Sequence, residues 1–126
     1  MEKIEDLQFA GLRFIQSDAA FRFGTDAVLL ASFVEAKRGE TVVDLGTGSG
    51  ILPVLLSGRC EARFIGIELQ APAAELARRN IALNGLERRV QILEGDFRAL
   101  SRQLSPVKVV ISNPPYDKVR AGKANQ

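Results

Sequence analysis

Apolar residues gather in four short, nearly continuous runs: Thr41–Leu45, Arg63–Glu68, Val90–Glu94 and Val107–Ser112. Each has the length and composition of a strand covered on both faces. The segments between them have helical character. Ile51 to Ser57 follows the first run; Ala71 to Asn84 is alanine-rich, with Pro72 at a tolerated first-turn position and Gly85 as a stop; Phe97 to Leu104 is a short helix. Strands alternating with helices predict an α/β fold, a parallel sheet wound on both faces with strand order 3-2-1-4 and ligands gathered at the strands' carboxyl ends. Upstream, Leu12–Gln16 and Phe21–Phe23 alternate around Ser17–Ala20, which predicts a small β-hairpin. A helix from Asp26 to Ala36 follows, with Thr25 as its N-cap, and Gly39 ends the turn before the first buried run. The expected organisation is one domain over 1–126, with a hairpin and helix in 1–38 and a polar, basic, flexible tail in 117–126.

Composition narrows this picture. The 126 residues are 46% hydrophobic and 25% charged, enough for one domain with a real core. The chain has one cysteine, Cys60, and no histidine, so an internal disulfide or a Cys/His zinc site is excluded. Cys60 reads as a small packing residue, because no histidine exists to activate it. The first residues lack the basic and apolar regions of a signal peptide, and no apolar run reaches membrane-spanning length; the expected location is the cytoplasm. A net charge of +2 suits a polyanionic partner and an ordinary soluble surface equally well.

The candidate chemistry begins where the first run ends. Asp44-Leu45-Gly46-Thr47-Gly48-Ser49-Gly50 joins a buried strand to a helix through three alternating glycines, which let backbone turn tightly and approach a ligand. A dinucleotide fingerprint counted from Gly46 needs glycine at position 51, where this chain has Ile51, so the loop fits NAD poorly. Glu68 closes the second run 20 residues beyond Gly48, the distance at which an acid reaches ribose hydroxyls in nucleotide-binding βαβ units; a solvated acid at a strand end is the plainer alternative. Asp96 closes the third run. It can cap the helix starting at Phe97, accept from an adenine amino group while Phe97 covers a ring face, or do both. The fourth run ends in Asn113-Pro114-Pro115-Tyr116, a stiff turn without two amide donors. The Asn113 side-chain oxygen and the Pro114 carbonyl can together hold a planar amino group, with Tyr116 stacked on the attached base or amide.

These residues resemble a known family. Asp44, Gly46, Gly48 and Gly50 are similar to motif I of class I S-adenosylmethionine-dependent methyltransferases, and Asn113-Pro114-Pro115-Tyr116 is similar to motif IV of those that methylate exocyclic or amide nitrogens. Thr25-Asp26-Ala27-Val28-Leu29-Leu30 resembles a signature of bacterial tRNA (adenine-N6)-methyltransferases acting on a valine tRNA. The resemblance runs from about Leu7 to Tyr116 and implies a Rossmann-like methyltransferase fold, S-adenosyl-L-methionine as cofactor and tRNA or another RNA as partner. It implies cofactor contacts for Thr25, Asp26, Asp44, Gly46, Thr47, Gly48, Gly50, Glu68, Leu69, Asp96, Phe97 and Asn113, and catalytic roles for Asn113, Pro114 and Tyr116. Guanine-N2 of ribosomal RNA and a protein glutamine are alternative acceptors, and a catalytically silent cofactor-binding module is a further reading. Family domains continue past motif IV for several elements, so the expectation is either a fragment of a longer enzyme or an oligomer that covers the apolar edge strand 107–112.

Overall fold

The computed structural model describes residues 2–17, 25–104, 107 and 109–112. Its centre is a parallel four-stranded sheet made of β3 (Thr41–Leu45), β4 (Arg63–Glu68), β5 (Val90–Glu94) and β6 (Val109–Ser112), in the spatial order β5-β4-β3-β6. This is the arrangement the alternating pattern predicts. Pairing sets Leu45 beside Ile67 and Ser112, and Glu68 beside Glu94, so the carboxyl ends of the strands form one rim.

The helices are α1 (Thr25–Phe33), α2 (Ile51–Ser57), α3 (Ala71–Leu83) and α4 (Phe97–Leu100), the last continued by a 3-10 turn at Ser101–Gln103. Residues Ile51 to Leu56 of α2 are all buried, as expected of a helix apolar all round and enclosed by its neighbours. Pro53 is harmless there, since first-turn amides have no intrahelical acceptor. Helix α3 buries Ala74, Ala77 and Ile81 and ends at an Asn84 cap before Gly85 at φ 66. Val42, Leu52, Leu56, Phe64 and Ile92 sit in one core cluster.

Arg89 fastens the amino ends of the strands. Its guanidinium donates to the carbonyls of Ser57, Cys60 and Ala62, and lies 5.7 Å from the centre of the Phe64 ring. One side chain therefore ties the end of α2 to the entry of β4 and caps carbonyls that the helix leaves open.

The N-terminal region departs from expectation. A hairpin is present, but Arg13–Ser17 (β2) pairs antiparallel with Glu2–Asp6 (β1), upstream of it, with Ile4 opposite Ile15. Phe21–Phe23, the expected partner, lies outside the described residues. Glu2–Asp6 has a single apolar residue, Ile4, which is exposed, so no alternation marks it as a strand. It is held by its pairing with β2 and by an ion pair between Glu2 and Arg79 of α3. Helix α1 stops at Phe33, three residues short of the expected Ala36, because the chain must turn into β3: Lys37 and Glu40 close that turn by two mutual hydrogen bonds. Within the fourth apolar run the described strand is Val109–Ser112.

Candidate functional site

The glycine loop leaves the carboxyl end of β3 and folds back over β4. Gly46, Gly48 and Gly50 have φ of 69°, 61° and 90°, so alternate residues take the left-handed conformation that side-chain-bearing residues avoid. The Gly46 and Thr47 amides both donate to the carbonyl of Ile67, at 2.8 and 3.0 Å. Gly50 also approaches α3 closely: a Cβ there would lie 3.3 Å from that of Ala77. Gly66 in β4 makes room for Thr47 in the same way, since a Cβ at Gly66 would fall 2.8 Å from Oγ1 of Thr47.

Glu68 is the link between loop and rim. Only 8% exposed, it accepts from the Gly48 amide through Oε1 at 2.8 Å and from the Gln70 amide through Oε2 at 2.9 Å. Each oxygen keeps a second lone pair, so the carboxylate organises the loop and still has acceptor capacity for ligand hydroxyls. The Glu68 carbonyl in turn accepts from the Gly95 amide at 2.9 Å, which joins the turns after β4 and β5. Asp96 caps α4 by accepting from the Arg98 amide at 2.8 Å, the first of the roles open to it. Leu69 and Phe97 follow the same two strand ends as exposed apolar residues, available to cover a planar ligand.

Asp44 is the most unusual group. It is 2% exposed, and among the described residues neither carboxylate oxygen, nor the buried Thr47 Oγ1, has a hydrogen-bond partner. Burial pushes its pKa up from 3.8 to about 7; the nearby Thr47 hydroxyl opposes that rise without reaching hydrogen-bond geometry, and the Glu68 charge adds to it. A buried acid beside a second acid favours a ligand that brings a positive charge.

Thr25 and Asp26 begin α1, where Asp26 is exposed and Ala27 joins the core. Asn113, Pro114 and Tyr116 lie outside the described residues; β6, which leads to them, ends beside Leu45. The sheet rim therefore brings together Asp44, Gly46–Gly50, Glu68, Leu69, Asp96 and Phe97. Asn80 was not singled out by sequence reasoning, although it touches the loop: fully buried on α3, its amide donates to the carbonyl of Ser49 at 2.9 Å. The available signal was a pair of asparagines one turn apart, Asn80 and Asn84, on a helix whose neighbouring positions are apolar. Depressions of about 420 and 460 Å³ at the opposite, amino end of the sheet are lined by Arg63, Arg88 and Arg89, far from the glycine loop.

Comparison with known proteins agrees with this geometry. The tRNA1(Val) (adenine(37)-N6)-methyltransferase of Bacteroides fragilis is 32% identical over 111 residues, covering 86% of this chain and 47% of the relative. Its namesake from Cronobacter sakazakii is 35% identical over 107 residues, covering 82% of this chain and 44% of the relative. The chain thus spans about half the length of these relatives. Among solved structures, the C-terminal domain of precorrin-6Y C5,15-methyltransferase from Rhodobacter capsulatus superposes with a TM-score of 0.68 at 25% identity, over 93% of this chain and 56% of that one. TYW2 of P. horikoshii, in complex with MeSAdo, gives 0.65 at 26%, over 77% of this chain and 37% of that one. The sequence pattern of the methyltransferase small domain matches residues 7–125, and with these likenesses it establishes that the chain belongs to the methyltransferase small domain family and has its Rossmann-like fold.

Proposed function

We propose that this chain binds S-adenosyl-L-methionine at the glycine loop and belongs to an N-methyltransferase that modifies the exocyclic N6 of an adenine in tRNA, in the cytoplasm. The observation that carries the reading is Asp44, a buried acid beside Glu68 that has no hydrogen-bond partner among the described residues. The residues present fit this cofactor: its ammonium suits the Asp44 carboxylate, its ribose hydroxyls suit the free acceptor capacity of Glu68, and its adenine suits the apolar surfaces of Leu69 and Phe97. The names of the relatives support the acceptor, as does Asn113-Pro114-Pro115-Tyr116 at the end of β6.

S-adenosylmethionine supplies, when bound, a methyl group made electrophilic by its sulfonium. The chain's own residues then have mainly to bind and orient. An adenine amino nitrogen is a poor nucleophile because its lone pair is delocalised into the ring. Acceptance of its two hydrogens by the Asn113 side-chain oxygen and the Pro114 carbonyl favours a more tetrahedral nitrogen and turns the lone pair toward the methyl, while Tyr116 stacks on the base. Orientation and preorganised acceptors of this kind together contribute several kcal/mol. The target base must first leave its stack, or already be single-stranded.

Among the described residues β6 has a strand neighbour on one side only, and Val110 is 53% exposed. That edge suits pairing with a strand from a longer form of this chain or from a second copy. Light scattering tests the second-copy arrangement, which a stable, non-aggregating monomer contradicts.

Titration calorimetry with S-adenosylmethionine, followed by product analysis of tRNA, ribosomal RNA and a release factor each incubated with protein and cofactor, tests the functional reading. The expected results are binding and N6-methyladenosine. Methyl on guanine-N2 or on a protein glutamine moves the acceptor, binding without transfer leaves a cofactor module, and no binding refutes the proposal. For an active protein, Asn113→Ala is expected to lower kcat by about 10²-fold; an unchanged kcat removes Asn113 from the chemistry.

A further inference from the structure

Helix α3 presents two asparagines, one turn apart, to the edge of β2 that faces away from β1. Asn84 accepts from the Arg13 amide at 2.8 Å and donates to the Arg13 carbonyl at 2.7 Å. Asn80 accepts from the Ile15 amide at 2.6 Å and donates to the Ile15 carbonyl at 3.2 Å. Arg13 and Ile15 are alternate residues whose amide and carbonyl face the same side of the strand, so two side-chain amides on a helix satisfy the edge as a neighbouring strand would. Asn80 differs from Asn84 in two respects. Its amide also donates to the carbonyl of Ser49 at 2.9 Å, within the glycine loop, and it has no exposure to water. Ser49 lies between two glycines in the left-handed conformation, and the amide of one of them, Gly48, is held from the other side by Glu68. The loop is therefore gripped by Glu68 toward β4 and by Asn80 toward the hairpin.

We propose that Asn80 is a positioning residue that couples docking of the N-terminal hairpin to occupancy of the glycine loop. A buried amide with three partners has one geometry that satisfies all of them, so a ligand that fixes the loop also favours the amide orientation that receives Ile15. Linkage makes the effect mutual: a docked hairpin raises affinity at the loop by the same factor. The inference rests on the cofactor reading of the loop.

The test is amide hydrogen exchange on the full chain with and without saturating S-adenosylhomocysteine. In the unmodified protein, the Arg13 and Ile15 amides are expected to exchange about fivefold or more slowly once the ligand is bound. Asn80→Leu, of similar size and without polar atoms, is expected to abolish that response. Asn84→Ala keeps the Ser49 bond and is expected to retain the response at Ile15, which keeps the inference testable if Asn80→Leu does not fold. Ligand binding with unchanged exchange at Arg13 and Ile15 overturns the coupling. So does a response that survives in folded Asn80→Leu, or one lost at Ile15 in Asn84→Ala. Calorimetry on the same sample separates these results from failure of the functional reading, because a chain that binds no S-adenosylhomocysteine overturns both.

Discussion

Replacing Asp44 by asparagine should stabilise the ligand-free protein at neutral pH while removing the negative charge proposed to meet the cofactor's ammonium. The sign follows from its raised pKa, 3.8 in the unfolded chain and about 7 in the folded one. Below the unfolded value the carboxyl is protonated in both states, and the group's titration has no effect on stability. Between 3.8 and about 7 the unfolded chain ionises while the folded chain does not, so stability falls as pH rises, and above 7 the loss is level. At about 1.4 kcal/mol per pH unit the full loss is about 4 kcal/mol, a large share of the 5–15 kcal/mol typical of a domain. The introduced asparagine would leave an unpartnered amide costing about 1–3 kcal/mol, but that cost is the same at every pH. Urea unfolding of both proteins from pH 4 to pH 8 isolates the effect, since all other titrations cancel in the difference. The stability of Asp44→Asn relative to the unmodified protein should rise by about 4 kcal/mol across that range. Parallel curves would refute the reasoning and mean that Asp44 is solvated or paired when the protein is free of ligand.

The same acid makes cofactor affinity depend on pH: binding should release up to one proton below pH 7, with Kd tightening by at most about tenfold per pH unit up to 7 and levelling above it, which calorimetry in buffers of different ionisation enthalpy reads directly. Gly50→Ala forces a side chain into φ 90° and to 3.3 Å from Ala77, whereas Gly46→Ala meets open space at φ 69°. Both should lose about 1–2 kcal/mol from the left-handed backbone, with a larger total for Gly50→Ala by urea denaturation. Arg89→Met should cost about 2–4 kcal/mol through three carbonyls left without a donor, and leave cofactor affinity in the folded protein unchanged by titration calorimetry.

Much of the sheet was legible because its signals are local. Arg63–Glu68 and Val90–Glu94 are bounded by polar residues and appear as strands at those limits. The positions of Glu68 and the glycines along the rim follow from strand order once the alternation is seen. What local pattern could not carry is contact between distant residues. The strand at Glu2–Asp6 exists by virtue of a partner strand and an arginine 77 residues away, and the edge of β2 is completed by side chains 65 and 71 residues downstream. Nor does a motif letter reveal environment. Asp44 was legible as the acid before the loop, but its isolation depends on Thr47, Glu68 and the core around them.

Arg89 works at the end of the sheet remote from the glycine loop, and that separation has an evolutionary consequence. Mutational drift in the turns after β4 and β5 can reshape what the rim accepts without loosening the staple that joins α2 to β4. A lineage could explore new ligands on such a scaffold while its foundation stayed fixed, and a protein engineer could graft those turns on the same terms.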